Sequence, residues 1–175
     1  NVPVSFTNEG RSYGLELFFQ QKLWNNFYGL ISYTFVRSEF EDINNTLIAS
    51  SWDYRHMLSL TGGKIFKRGW ETGLKLRYNS GSPYTPYDIA ASSLKSNYDV
   101  LQAGIPDASQ LNAQRIEPFY QLDVRVDKKY NFKNWALDVY LDVQNITNNI
   151  TEEQPYFSVE RDANGVPITN PDHPD

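Results

Sequence analysis

The sequence predicts an all-β chain, an antiparallel up-and-down segment of a transmembrane β-barrel. Three observations point there. Apolar and polar residues alternate strictly in several runs, the connections between runs alternate between short and long, and the tryptophans gather at the short ones. A period of two puts alternate side chains on opposite faces of a strand. Runs of roughly 10 residues are enough for a tilted strand to cross a bilayer.

The clearest runs lie between Phe119 and Asn148. Over 119–130, Leu122, Val124 and Val126 share one face while Gln121, Asp123, Arg125 and Asp127 share the other. Over 135–147, Leu137, Val139, Leu141 and Val143 oppose Asp138, Tyr140, Asp142 and Gln144. The short polar turn between them makes a β-hairpin, with a purely aliphatic face and a charged one. Lipid on one side and water on the other would produce that pattern.

Four more strands precede the hairpin. Over 10–23, Tyr13, Leu15, Leu17 and Phe19 alternate with Gly14, Glu16, Phe18 and Gln20; Trp24-Asn-Asn supplies a turn, since Asn tolerates turn backbone angles. Over 27–37, Ile31, Tyr33 and Phe35 face away from Ser32, Thr34 and Val36. A strand over 56–67 has Leu58 and Leu60 on its apolar side, with Gly62-Gly63 weakening the pattern. Lys67-Arg68-Gly69 then turns into 70–79, where Trp70, Thr72, Leu74, Leu76 and Tyr78 oppose Glu71, Gly73, Lys75, Arg77 and Asn79.

Segments 38–55, 80–118 and 149–175 read as long polar loops, the second carrying Pro83, Pro86, Pro106 and Pro118 and a short helix over 108–114. Barrels of outer-membrane type have short turns at one end and long loops at the other. Trp24, Trp70 and Trp135, with Phe27, Phe66, Tyr130 and Phe132, cluster at the short turns, as rings at a headgroup layer do. Tyr13, Tyr78 and Tyr120 would form the opposite girdle. The competing arrangement is a β-sandwich with these aromatics in its core.

Composition narrows the function. At 175 residues the chain is long enough for one domain. Its mean hydropathy is −0.56; no apolar run approaches the roughly 18 residues of a membrane helix, though barrel strands dilute their apolar residues one to one. A net charge of −5 provides no nucleic-acid footprint. The absence of cysteine removes disulfides, thiolate metal sites and a Cys nucleophile. The start at Asn1-Val-Pro-Val and the polar end Asn170-Pro-Asp-His-Pro-Asp read as cuts through a longer polypeptide.

The order of segments resembles the C-terminal part of the barrel of a TonB-dependent outer-membrane receptor of the Bacteroidetes type. Gly14-Leu-Glu-Leu, Ser32-Tyr-Thr-Phe, Gly81-Ser-Pro-Tyr-Thr-Pro, Leu122-Asp-Val-Arg-Val-Asp-Lys-Lys-Tyr and Val143-Gln-Asn-Ile-Thr-Asn carry the likeness, which spans about Gly10 to Asn148. The resemblance implies six strands of a barrel of about 22, roughly its strands 16 to 21. It places 1–9, 38–55, 80–118 and 149–175 outside the cell, in the outer membrane of a Gram-negative bacterium. It implies active uptake of a nutrient such as an iron chelate, glycan, cobalamin or peptide. The partners would be the lipid bilayer, the remaining strands, the receptor's own plug domain and the TonB complex, and a surface lipoprotein is a candidate partner of the loops. The sequence itself lacks the plug, TonB box and terminal aromatic strand of that family. A passive or secretory outer-membrane barrel and a secreted carbohydrate-binding β-sandwich are the alternatives.

No catalytic residue, metal site or cofactor site is expected. His56, in Trp52-Asp-Tyr-Arg-His, reads as a rim residue, and His173 as a solvated one. The charged-face residues Glu16, Glu71, Lys75, Arg77, Asp123, Arg125, Asp138 and Asp142 read as lining a water-filled lumen, facing the plug by resemblance. Arg125 is expected to pair across strands with Asp138 or Asp142. Asp162-Ala-Asn-Gly165 reads as a turn, and the Asn145-Ile-Thr and Asn149-Ile-Thr sequons as fortuitous. The loop aromatics Trp52, Tyr54, Tyr84, Tyr87 and Tyr98 are the ligand-contact candidates.

Overall fold

A computed structural model describes residues 9–42 and 44–168; His173 and the two chain ends lie outside the described residues. Nine strands and two short helices follow in order: β1 (Gly10–Trp24), β2 (Phe27–Glu41), β3 (Leu47–Ala49), β4 (His56–Ile65), β5 (Trp70–Asn79), β6 (Pro83–Tyr84), α1 (Ile89–Ser93), α2 (Lys95–Leu101), β7 (Gln114–Arg115), β8 (Phe119–Asn131) and β9 (Ala136–Val143). The fold is all-β. One antiparallel sheet runs β1-β2-β4-β5-β8-β9, β3 pairs beside β2, and β6 pairs with β7 in a separate two-residue ladder. The large sheet is open, with β1 and β9 as its edges.

Residues directly opposite each other in neighbouring antiparallel strands point to the same face. The register therefore decides whether the alternation of each strand adds up. It does. Phe19 stands opposite Ile31, Ile31 opposite Leu60, Leu60 opposite Leu76 and Leu76 opposite Leu122. Lower on the same face Leu74 meets Val124, Val124 meets Val143, and Val126 meets Leu141. Every predicted apolar row lies on one surface of the sheet. Among the described residues no second layer packs on it: Leu17 is 55% exposed and Leu141 66%. Among the described residues the only buried large hydrophobic side chain is Tyr98.

The turns follow their residues. Asn25 and Asn26 both adopt positive φ, as a two-residue hairpin turn of the β1–β2 type requires. Gly62-Gly63 does not break β4. A Cβ on Gly63 would lie 2.4 Å from the Tyr28 hydroxyl, so the missing side chain is the space through which Tyr28 reaches across β4 to donate to Glu71 Oε1 at 2.5 Å. Three strands are pinned together there.

Several boundaries move. β2 runs on to Glu41 rather than ending near 37, because its polar end is paired on both sides, to Gly10–Ser12 of β1 and to β3. Segment 38–55 is thus partly a hairpin. β9 stops at Val143 rather than 147, where the Asp123 carboxylate takes the Asn145 N–H at 2.9 Å and Asn145 turns with φ 51°. In the long loop the helices are α1 and α2; the stretch expected to be helical over 108–114 holds only a single 3-10 turn, Ala108–Gln110. Asp162 closes the expected turn, accepting from the N–H groups of Asn164 and Val166.

Candidate functional site

The long connections gather at one end of the sheet and are held by a buried ion cluster. Asp53 has no solvent exposure. Its carboxylate accepts the Ser38 N–H at 2.8 Å and pairs with Arg37 at 3.3 Å, Arg55 at 3.4 Å and, most closely, Arg115. Arg37 continues to Glu39 at 2.6 Å, and Glu39 to Arg11 at 2.8 Å. Burial by itself would raise the Asp53 carboxyl; the Ser38 N–H and the Arg115 and Arg37 guanidiniums reverse that and hold it below the ordinary range.

Arg115 ties two loops to one point. Besides the carboxylate, its Nη1 donates to the carbonyls of Asp53 at 2.7 Å and Gly81 at 2.9 Å. Gly81 opens the Gly81-Ser-Pro-Tyr-Thr-Pro stretch, and a Cβ there would overlap the Ile116 carbonyl. The stretch folds back as β6 on β7, so the 80–118 loop is closed at its base. Asn112 adds a bond from its Nδ2 to the Ala49 carbonyl at 2.8 Å.

The five loop aromatics separate. Trp52 is 78% exposed and stands free of the others. Tyr54 is half-buried beside the ion cluster. Tyr84 and Tyr87 line one cavity of about 590 Å³ with Thr85, Asn112 and Gln154, and the Tyr84 hydroxyl donates to Gln114 Oε1 at 2.7 Å. Tyr98 is buried, tilted against Phe157 at 6.2 Å, with its hydroxyl accepting from Arg161 Nη2 at 3.1 Å. Its ring packs the loop body. Phe157 also meets Tyr87 at 6.1 Å, so the 149–168 segment docks on the 80–118 loop.

The eight charged-face residues share the face opposite the aliphatic one, by the same register. A hollow of about 260 Å³ brings Lys75, Asp123, Arg125 and Asp142 together beside Tyr28. Glu16 stands apart on edge strand β1, and Asp138 lies near the short-turn end opposite Lys129. Arg77 donates to Gln121 at 2.7 Å. One expectation is corrected. Arg125 faces Asp142 in register, yet it pairs with Asp127 at 2.6 Å, two residues along its own strand. Its guanidinium lies 3.9 Å from the Tyr140 ring, which stands between Asp138 and Asp142 and takes the cross-strand position.

His56 begins β4 at the loop end of the sheet, its Nδ1 2.8 Å from the Tyr33 hydroxyl and its ring against Phe35. Among the described residues no three His, Cys, Asp or Glu side chains are grouped to hold a metal ion. The sequence reading missed the ion cluster, Gln154 and Phe157. Asp53 and Arg115 stand 62 residues apart, and no local pattern links them.

At the short-turn end the aromatics are all exposed, Trp24, Trp70 and Trp135 among them. Phe132 and Trp135 stack at 4.0 Å. No helix among the described residues is long and apolar enough to cross a membrane, which has no bearing on strands. Comparison of the chain with family models, with curated proteins and with solved structures found no match.

Proposed function

We propose that this chain is a section of the wall of an outer-membrane β-barrel, in a TonB-dependent receptor that imports a nutrient. One observation carries the membrane reading: the register merges six strands into a single uncovered aliphatic face bounded at both ends by exposed aromatic rings. Tyr120 and Tyr130 share that face ten residues apart on β8. At about 3.3 Å per residue they stand roughly 33 Å apart along the strand, or about 25 Å when tilted near 40°, the height of a barrel's apolar band. A sandwich would need a second sheet over the same face; the only other ladder among the described residues has two residue pairs.

The unpaired edges β1 and β9 would then meet neighbouring strands of the complete barrel, since an edge left open in lipid strands its backbone groups. The charged face lines the lumen and meets the plug. The loop end faces outward and supplies the ligand contacts, with Tyr84 and Tyr87 as the rings that line a cavity. The receptor assignment rests on the sequence resemblance, and no bond-making chemistry is assigned to the chain.

Paired substitutions in the intact receptor test the wall. Leu141→Arg places a cation in lipid at a cost of about 2–4 kcal/mol near the midplane, and should deplete folded receptor from outer-membrane fractions. Asp142→Asn should leave its level unchanged. Equal loss from both would contradict the two-faced wall. Uptake that continues without the TonB complex would replace active import by a passive barrel.

A further inference from the structure

The aliphatic face carries charge at both ends: Arg11, Arg37 and Glu39 form ion pairs at the loop end, and lysines stand at the short-turn end. On β4, β5, β8 and β9 no Asp or Glu occupies that face. Two lysines do: Lys64 of β4 and Lys128 of β8. Both stand at the short-turn end, and β5 lies between them, with Lys64 opposite Thr72 and Lys128 opposite Trp70. Two strand spacings and a two-residue offset along β5 separate them by about 12 Å. Lys128 Nζ sits 5.1 Å from the centres of both the Trp70 and Tyr130 rings and donates to the Arg68 carbonyl. Lys64 Nζ sits 5.5 Å from the Phe66 ring. The rings hold both ammonium groups at the aromatic belt.

The surroundings reinforce the sign. Lys67, Arg68 and Lys133 fill the adjacent short turns, while the carboxylates at this end, Glu71, Asp127 and Asp138, all lie on the opposite face. A chain with net charge −5 therefore presents a cationic strip where its aliphatic face ends. We infer that Lys64 and Lys128, set among Phe66, Trp70 and Tyr130, bind the phosphate of an anionic phospholipid. The inference rests on the wall reading above and adds a headgroup preference to it. Lysine stems lie along the apolar surface while their ammonium groups reach the phosphate layer, and each basic residue near such a surface adds attraction to anionic lipid.

Fluorescence quenching by brominated lipids reads the site directly. In the intact receptor reconstituted into vesicles, with tryptophans outside this stretch replaced by Phe, Trp24→Phe, Trp52→Phe and Trp135→Phe leave Trp70 as the single reporter. Brominated phosphatidylglycerol should bind beside Trp70 about fivefold more strongly than brominated phosphatidylcholine. The preference should vanish in Lys64→Gln/Lys128→Gln and survive in Lys64→Arg/Lys128→Arg. Equal quenching by the two lipids in the parent chain would overturn the headgroup site and leave the wall standing. Absence of quenching by either lipid would place Trp70 outside the bilayer and overturn both.

Discussion

Asp53 meets three guanidinium groups without touching solvent, and its ionised carboxylate is one of the ties that join the loops. Its carboxyl lies below its ordinary value of 3.8 in the folded chain, so ionised Asp53 stabilises the fold above that value, and the contribution is lost as pH falls below it. Hydrogen exchange at the Ser38 amide, which donates to this carboxylate, should stay slow down to about pH 4 and quicken only at lower pH. In Asp53→Asn it should be fast throughout. Removing one partner of a buried ion group costs about 3 kcal/mol, so Asp53→Ala should also open the 80–118 loop to protease. A second residue-scale device is the gap at Gly63. Gly63→Ala forces a methyl into the Tyr28 side chain and should cost about 1–3 kcal/mol. Thermal unfolding checks this: Gly63→Ala should lower the transition temperature, while Gly73→Ala, whose Cβ would meet the Arg125 Cβ at an unstrained 3.8 Å, should lower it much less.

The strands were legible in the sequence because their pattern is local. Each needs only the period of its own side chains, and the termini of β5 and β8 fall within a residue of where alternation puts them. The loops were not legible for the opposite reason. β3 exists because it pairs with the end of β2, and Arg37 and Arg115 matter because they converge on Asp53 from distant segments. The misplaced helix had a readable signal. Asp88 precedes Ile89-Ala-Ala and caps α1 by accepting the Ala91 N–H at 2.9 Å, whereas Asp107 uses its carboxylate on Ser109 and Gln110 and closes only a turn. Of the ligand candidates, exposure could not be read from residue type. Tyr98 and Tyr87 look alike in sequence and both meet Phe157, and only the fold separates the buried ring of Tyr98 from the cavity-lining ring of Tyr87.

Across the whole sheet, aliphatic and charged side chains are sorted by face over most of its height and the two ends by connection length. The sheet buries almost no apolar side chain against itself, which in water would leave a chain of this length without a core. The bilayer of the proposed wall would supply the missing surroundings. It would account at once for the exposed aliphatic rows, the rings at both margins and, on β4, β5, β8 and β9, the acids kept to the other face. Because the chain has no cysteine, single cysteines from 137 to 143 can each carry a nitroxide in the intact receptor, any cysteine elsewhere in it being replaced. Oxygen, which concentrates in acyl chains, should reach 139, 141 and 143 best, and a water-soluble nickel chelate should reach 138, 140 and 142. Collisions with the nickel chelate at 139 and 141 as frequent as at 140 and 142 would contradict the account.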